Sequence, residues 1–581
     1  MLKLKNLKIE NILFFFKKNE KKIFTALLIF ILLLGIFLRT FHHRDWLHFQ
    51  FDQARDAMIV SNAINDISKL PLLGPHASGS SLQLGPAFYY FQYLAAKIFG
   101  ARPNVMAWPD LFFSILSLPL FYFFARKYFS QWISLGLLSL FFTTIFIIFY
   151  SRFAWNPNSI PFFLLLMTFS LTKLAEEKNK NNFIWLYVSA FAMAIATQLH
   201  FFTFFLAPTV LALALIFLRP KIKFRHYLLS LLLVIFIYSP VIYSDIKTNG
   251  QNIKAFAETF IKKTEIKESK HNLFEKMFRT LQYSSNFNLI FISSNQNTDI
   301  ISTKNKSEKI KLQCDSKCRK YLPHMLLAWI LFAASLLVFF RKIIKSFKKN
   351  KQENFFLMLN LIWLGTFLFI LTPLSYKFYP RFFLAGAIPF FIIFGILIKT
   401  FLEKYNFKFS RIIVFLVFIL CIFLNLKTIN KFFEIQNNVK FNSRAGSDYR
   451  DLTKPGGENV TLEQLENIAN TIKFDSEKNK NKIYIAVDNY YASSIFYLLK
   501  YQLDAPIDCY IKKSNYDPKI GLDIYYVLTT DSEAQVGKKI LEYNTIEFKK
   551  EMGTLVLYKL KPKNYSNTNE YLEGCRIPSG G

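Results

Sequence analysis

Apolar runs long enough to cross a bilayer recur along most of the chain and constrain its fold more than any other feature. They predict membrane-spanning α-helices, because a backbone inside hydrocarbon must satisfy its hydrogen bonds within its own segment. The composition agrees, since 52% of the 581 residues are hydrophobic, more than one soluble core needs. About eleven runs have this character: 23–38, 109–125, 131–150, 158–173, 183–199, 201–218, 227–243, 323–340, 354–371, 382–398 and 411–426.

Lysine and arginine lie mainly in short blocks between these runs. The chain has 72 Lys and Arg against 39 Asp and Glu, a formal net charge of +33. Blocks on alternate connections orient helices in a membrane, so this charge indicates a lipid bilayer as the partner and not nucleic acid. The basic blocks expected on the cytoplasmic side are 126–127, 173–180, 219–225, 341–351 and 399–411. The Lys-rich N-terminus is expected on the same side and leads into an uncleaved signal anchor.

The pattern divides the chain into three parts. We expect a cytoplasmic N-terminus at 1–22, a transmembrane domain at 23–426, and an extracytoplasmic α/β domain with a tail at 427–581. Two outer loops, 41–108 and 244–322, interrupt the transmembrane part, and the helices of the first loop are expected on the outer surface. The fold class is therefore an α-helical polytopic membrane protein with a small C-terminal α/β domain.

The C-terminal part changes to strand patterns. Residues 482–487, 522–528 and 553–558 read as strands, and 492–501 as a helix between the first two. The 244–322 loop is rich in Lys and Asn and contains helical pieces, so we expect it to be mobile or folded against the outer surface.

Metal and cofactor signatures are missing from the sequence. The five Cys form no zinc-type pair of pairs, and Cys314 and Cys318 are either a disulfide or two free thiols. No Gly-rich phosphate loop and no dinucleotide fingerprint is found. We therefore predict neither a metal nor a cofactor.

A charged cluster follows the first apolar run. If a helix begins near residue 52, Asp52 and Asp56 share a face and Arg55 reaches either carboxylate. Charge at a membrane edge is costly, which favours a functional role. The alternative is a self-neutralising helix start with Asp52 as N-cap and Arg55 as its ion partner.

Further polar residues are predicted on the same outer face. A carboxylate there can act as a general base on a hydroxyl, while Arg and Lys bind phosphate and stabilise its departure. For each cation the alternative is snorkelling to lipid headgroups, for His200 a helix-end contact, and for Asp245 a cap of the following loop. The set comprises Arg152, Asn156, His200, Asp245, Lys377, Tyr379 and Arg381.

Four motifs in this order resemble the bacterial membrane glycosyltransferases of the GT-C superfamily. They are Asp52-Gln-Ala-Arg55, Gly85-Pro86-Ala-Phe-Tyr-Tyr90, Arg152-Phe-Ala-Trp-Asn-Pro157 and Tyr379-Pro-Arg-Phe-Phe383. The similarity is to the branch of protein O-mannosyltransferases, aminoarabinose transferases and RgtA/B/C/D-like domains, and it covers roughly 20–400 in layout.

The resemblance implies a polyprenyl-phosphate-sugar donor and transfer on the outer face of the membrane. It makes Asp52 the catalytic aspartate and Arg55 the basic residue after it. Two departures stand against an aminoarabinose donor and a paired-carboxylate metal site. Gln53 replaces the adjacent carboxylate, and no Lys lies around Gln83 and Leu84.

These observations predict an inverting glycosyltransferase of the cell membrane. Asp52 is the expected general base, and Arg55, Arg152, Lys377 and Arg381 are expected to bind the donor phosphate. Asp56, Asn156, His200 and Tyr379 are expected to complete the pocket. The acceptor is a hydroxyl of a glycan, lipid or protein.

Two other classes remain open at this stage. A transporter or flippase of a lipid-linked saccharide also needs charged groups near lipid phosphate, but such proteins place ionisable residues near the midplane and show related halves. A structural or sensory membrane protein would use its C-terminal domain as the working part.

Overall fold

The computed structural model describes ten segments of the chain. They are 18–77, 80–176, 182–265, 273–295, 316–346, 351–375, 379–441, 460–479, 482–529 and 536–565.

Helices dominate the chain as far as Asn438. In order they are α1 Glu20–Thr40, α2 Phe51–Asn65, α3 Ala87–Phe99, α4 Pro103–Met106, α5 Trp108–Ala125, α6 Gln131–Thr143, α7 Ile145–Tyr150, α8 Ile160–Leu174, α9 Phe183–Leu199, α10 Phe201–Leu218, α11 Phe224–Ile237, α12 Ser239–Lys247, α13 Gln251–Glu265, α14 Leu273–Ser293, α15 Ser316–Ser346, α16 Lys351–Leu374, α17 Ala387–Lys404 and α18 Lys408–Asn438. Short 3₁₀ turns occupy Ile67–Lys69 and Pro380–Leu384.

Each apolar run of the sequence is helical, as predicted, but the number of spans is smaller than eleven by strict criteria. Among the described residues, six helices are long and apolar enough to cross a membrane, and a bent pair brings the number to seven. Three more apolar helices, α6, α8 and α9, have only 10–17 residues. The protein is thus a multi-pass membrane protein, and the prediction of eleven crossings is not confirmed.

Two of the predicted runs are broken helices. The run 131–150 divides at Thr144, whose extended backbone separates α6 from α7. The run 227–243 bends by 57° between α11 and α12, where Pro240 removes a helical donor. Apolar composition predicted the helices but not these breaks. The breaks depend on neighbouring groups that form hydrogen bonds with the backbone groups left unpaired.

The helix α14 corrects the expectation for the 244–322 loop. Its second half is buried, including Phe287, Asn288 and Phe291, and it packs against α15, α16, α17 and α18. The Phe287 ring stacks on Phe383 with 3.9 Å between centroids. This described part of the loop therefore belongs to the helical core and is neither mobile nor superficial.

A five-stranded mixed sheet forms the core of the C-terminal α/β domain. The strand order is β2-β1-β3-β5-β4, with β1 parallel to β2 and β3, and β5 antiparallel to β3 and β4. The predicted strands and helix are confirmed, whereas β2 and β4 are additions. The elements are α19 Leu462–Asn479, β1 Ile483–Val487, α20 Ala492–Tyr497 with a π-helical turn Leu498–Gln502, β2 Ile507–Lys512, β3 Ile524–Thr529, α21 Lys538–Tyr543, β4 Asn544–Met552 and β5 Leu555–Pro562.

The α/β domain docks directly on α2. The hydroxyl of Tyr497 lies 3.1 Å from Ser61 Oγ and donates to Ala101 O at 3.0 Å. Tyr501 donates to Asn62 Oδ1 at 3.0 Å, and Gln50 donates to the Tyr491 hydroxyl at 2.9 Å. These bonds hold α2 between α3 and the α/β domain, so the position of α2 depends on both.

Candidate active site

The helix α2 carries the charged cluster between the membrane part and the α/β domain. The backbone N–H of Gln50 donates to Gln53 Oε1 at 3.1 Å, so Gln50 is the N-cap and the assignment of Asp52 to that position is wrong. The expected ion pair is confirmed, because Arg55 Nη1 lies 3.1 Å from Asp52 Oδ1. The Asp52 side chain is 41% exposed, so a substrate can reach its carboxylate.

The same guanidinium binds a second, buried carboxylate. Arg55 Nη2 and Nε lie 2.7 and 2.9 Å from Asp56 Oδ1, and the Tyr89 hydroxyl of α3 donates to that oxygen at 3.0 Å. Asp52 and Asp56 thus share Arg55, as their spacing predicted, but Asp52 faces outward and Asp56 is only 1% exposed. Burial raises the pKa of Asp56 to about 6, against the opposing effects of Arg55 and Tyr89.

Arg381 lies in the 3₁₀ turn before α17, and its guanidinium lies over two aromatic rings. Its Cζ is 4.6 Å from the ring centroid of Tyr379 and 5.0 Å from that of Trp155. Such cation–π contacts hold the guanidinium and leave its N–H groups available for an anion. Burial lowers the pKa of Arg381, and the carboxylate of Asp52 opposes this shift together with nearby Tyr hydroxyls. Asp52 and Arg381 therefore lie within electrostatic reach of each other.

Asp110, which the sequence reading missed, fixes the turn that carries Trp155. It lies in the first turn of α5 and is 3% exposed. Its carboxylate accepts the Trp155 backbone N–H at 3.0 Å and the Ser159 hydroxyl. Burying a lone carboxylate in an apolar run is costly unless it has such hydrogen-bond partners. This cost was the signal in the sequence that could have identified Asp110.

The structure places Arg152 at the end of α1. Its guanidinium donates to the carbonyls of Leu38, Arg39 and Phe41 at 3.3, 3.0 and 2.7 Å, and the side chain is buried. These are C-terminal carbonyls that the helix itself leaves unpaired. Arg152 therefore caps a membrane helix, and its predicted contact with donor phosphate has no support from its position.

Asn156 and His200 connect the Trp155 turn to α9 and α10. Asn156 donates to the carbonyl of Leu199. His200 is the N-cap of α10 and accepts the Phe202 N–H at 3.1 Å, while its ring meets Phe382 edge-on at 5.8 Å. The helix-end alternative for His200 is thus confirmed, although the residue adjoins the Arg381 turn.

Two predicted features concern parts of the chain outside the described residues. Lys377 is one of them, so its role as a phosphate ligand stays a prediction. The side chains of Cys314 and Cys318 are also outside, and the choice between a disulfide and two thiols stays open. Among the described residues, no group of three or more His, Cys, Asp and Glu is placed to hold a metal ion.

An apolar groove with a volume of about 490 Å³ has Phe201, the residue after His200, in its wall. Asp245 caps α13 at its edge, accepting the backbone N–H groups of Asn252 and Ile253 at 2.9 and 3.2 Å, as its capping alternative anticipated. Gly85 permits close approach of Gln198, whose oxygen accepts the Ala87 N–H at 3.2 Å. The walls include Leu82, Leu84, Phe201, Phe204, Tyr238, Val241, Ile242, Ile246, Ile253 and Phe256.

The comparisons agree with this architecture. Residues 83–243 match a family model described as dolichyl-phosphate-mannose-protein mannosyltransferase. The crystal structure of ArnT from Cupriavidus metallidurans bound to undecaprenyl phosphate is similar, with a TM-score of 0.50 and 11% identity over 93% of this chain and 98% of that chain. The chain has a GT-C fold.

The fold implied by the resemblance to GT-C proteins is thereby confirmed. Archaeal oligosaccharyltransferase AglB from Archaeoglobus fulgidus, in complex with an inhibitory peptide and a dolichol-phosphate, also aligns, with a TM-score of 0.49 and 10% identity over 89% of this chain and 70% of that chain. No curated protein sequence matches the chain. The family model covers α3, the Trp155 turn and part of the groove lining, whereas Asp52 and Arg381 lie outside the matched residues.

Proposed function

We propose that this GT-C protein transfers a glycosyl group from a polyprenyl-phosphate-linked sugar to an acceptor hydroxyl on the outer face of the cell membrane. The proposal is carried by an accessible carboxylate, Asp52, and by Arg381, a guanidinium that lies over two aromatic rings within electrostatic reach of that carboxylate. One group is suited to accept a proton and the other to bind a phosphate leaving group.

The transfer is a single displacement. Asp52 accepts the proton of the acceptor hydroxyl, and the resulting oxygen attacks the anomeric carbon of the donor. The bond from that carbon to the phosphate oxygen breaks with inversion, and polyprenyl phosphate leaves. Arg381 stabilises the negative charge that develops on the departing phosphate, a contribution expected to be worth about 10²–10³ in rate for one well-placed donor group.

Arg55 has a different role from the one that the sequence suggested. It is shared by two carboxylates, so the cluster of Asp52, Arg55 and Asp56 carries a net charge of −1 when both acids are ionised. Such a cluster repels phosphate, whereas Arg381 has no carboxylate hydrogen bond among the residues that the structure describes. We therefore assign donor-phosphate binding to Arg381, with Lys377 as the remaining predicted ligand.

The apolar groove is suited to the isoprenoid chain of the donor. Its wall residue Phe201 follows His200, whose ring contacts Phe382 next to Arg381. A lipid chain in the groove would thus leave its phosphate near the cation. Undecaprenyl phosphate in the ArnT structure is a ligand of this class.

The α/β domain is assigned to the extracytoplasmic side, together with the site on which it docks. Cys509 in β2 is disulfide-bonded. Disulfides persist in oxidising compartments and are rare in the cytosol. The Lys-rich N-terminus would then lie in the cytoplasm.

A donor panel tests the proposal. The purified full-length protein is reconstituted in liposomes and given synthetic polyprenyl-phosphate mannose, glucose, galactose or aminoarabinose with acceptor from membrane extract. We expect one donor to release polyprenyl phosphate at least 100-fold faster than protein-free liposomes, with the sugar on a new acceptor. Movement of intact donor across the bilayer without cleavage would establish a flippase and contradict the proposal.

A further inference from the structure

The buried carboxylate of Asp56 meets three donors on a single oxygen. Arg55 contributes Nη2 and Nε at 2.7 and 2.9 Å, and Tyr89 contributes its hydroxyl at 3.0 Å. The second oxygen, Oδ2, is buried and has no partner among the residues that the structure describes. A buried acid with an unbonded oxygen lowers the stability of the fold, so a role beyond packing is favoured for Asp56.

The exposed ion pair on α2 is too weak to hold Arg55 alone. Arg55 and Asp52 are 35% and 41% exposed and lie three residues apart on the helix. An exposed pair of this kind contributes less free energy than is lost when the rotamers of an arginine side chain are fixed. The buried end of the guanidinium, on Asp56, therefore fixes its orientation.

We propose that Asp56 is a positioning residue that holds Arg55 against Asp52 and so keeps the catalytic carboxylate in place within electrostatic reach of Arg381. The proposal rests on the function assigned to Asp52 above. Asp56 itself meets no substrate because it is enclosed by α2 and α3. Tyr89 takes part in the same arrangement, since its hydroxyl fixes the carboxylate from α3.

Protonation of Asp56 supplies a distinctive readout. The titratable and charged groups that face it are Arg55 and Asp52 on its own helix and Tyr89 on α3. Burial raises its pKa to about 6, so its negative charge is present above that pH and lost below it. The Tyr89 hydrogen bond opposes the shift, so its removal raises the pKa of Asp56 further.

The test compares wild type with Asp56→Asn and Tyr89→Phe, using the donor that the panel identifies. At pH 7.5 we expect Asp56→Asn to lower kcat 10- to 100-fold with the donor KM within twofold of wild type. Wild-type kcat should fall below a midpoint near pH 6, and Asp56→Asn should lack that step. Tyr89→Phe should move the midpoint upward, whereas the neighbouring control Tyr90→Phe should match wild type.

Binding of undecaprenyl phosphate separates positioning from collapse of the site. Each variant should bind this lipid within twofold of wild type in a nanodisc titration. An Asp56→Asn protein with wild-type kcat, with the wild-type pH step, or without lipid binding would overturn the positioning role. Full turnover by Asp52→Asn would instead overturn the proposed function, which distinguishes the two failures.

Discussion

The guanidinium of Arg381 lies over the indole ring of Trp155, with 5.0 Å between Cζ and the ring centroid. Asp110, which lies in α5, fixes the turn that carries Trp155. An arginine held by aromatic faces keeps its in-plane N–H groups available for a ligand. A carboxylate partner would occupy those N–H groups. The positive group of the site is thus oriented without being neutralised.

Arg381→Lys tests whether the planar cation is needed. Lysine keeps the charge but loses both the stacking and the forked donors. We expect kcat to fall about 10²–10³-fold, because the leaving phosphate loses a preorganised partner. Release of polyprenyl phosphate by the purified variant measures this effect. Turnover within threefold of wild type would show that charge alone suffices.

Arg152→Gln distinguishes a helix cap from a phosphate ligand. Loss of the guanidinium leaves several buried carbonyls at the end of α1 unpaired, which we expect to cost about 2–4 kcal/mol. Thermal unfolding in detergent should show the loss, and turnover should fall only with the amount of folded protein. Normal stability combined with weaker binding of undecaprenyl phosphate would support the original phosphate role.

Tyr497→Phe with Tyr501→Phe tests whether docking of the α/β domain positions α2. The double variant removes the hydroxyl contacts to Ser61, Asn62 and Ala101. We expect the free energy of unfolding to fall by about 1 kcal/mol for each lost hydrogen bond, and kcat to fall at least threefold. Tyr526→Phe within the sheet is the control and should retain kcat. Equal kcat in both proteins would show that the docking does not affect the site.

The pH dependence of stability tests the burial of Asp56. Its pKa of about 6 lies above the ordinary value near 4, so the folded state binds this proton more tightly. The resulting stability is fully present below about pH 4 and is lost as pH rises through about 6, a change of roughly 3 kcal/mol. As the pH rises from about 4 to about 6, the melting temperature of Asp56→Asn should therefore increase relative to that of wild type. Parallel curves of melting temperature against pH would contradict the burial of Asp56.

The sequence predicted the charged cluster on α2 but not its asymmetry. Spacing placed Arg55 within reach of both acids, because residues three apart are neighbours on a helix. It could not show that α3 brings Tyr89 onto Asp56 and leaves Asp52 exposed. That difference depends on a contact with a separate helix, and it decides which acid can act as a base.

Arg152 and α14 show the same limit in the membrane part. The carbonyls that Arg152 caps are more than a hundred positions away, so local pattern could not separate a cap from a lipid or phosphate contact. The polar composition of α14 suggested a surface loop, but the helices packed around it bury its second half. Periodicity identified the helices, whereas tertiary packing set their roles.

Asp52 is the proposed general base of a glycosyl transfer. Asp66→Asn is a matched control, since Asp66 follows α2, is exposed, and its side chain contacts only Ser68 and Lys69 among the described residues. The deciding measurement is kcat of Asp52→Asn in liposomes, with undecaprenyl phosphate binding measured alongside. We predict at least a 100-fold loss of kcat, lipid binding within twofold of wild type, and full activity in Asp66→Asn. Unchanged kcat in Asp52→Asn would show that Asp52 is not the general base.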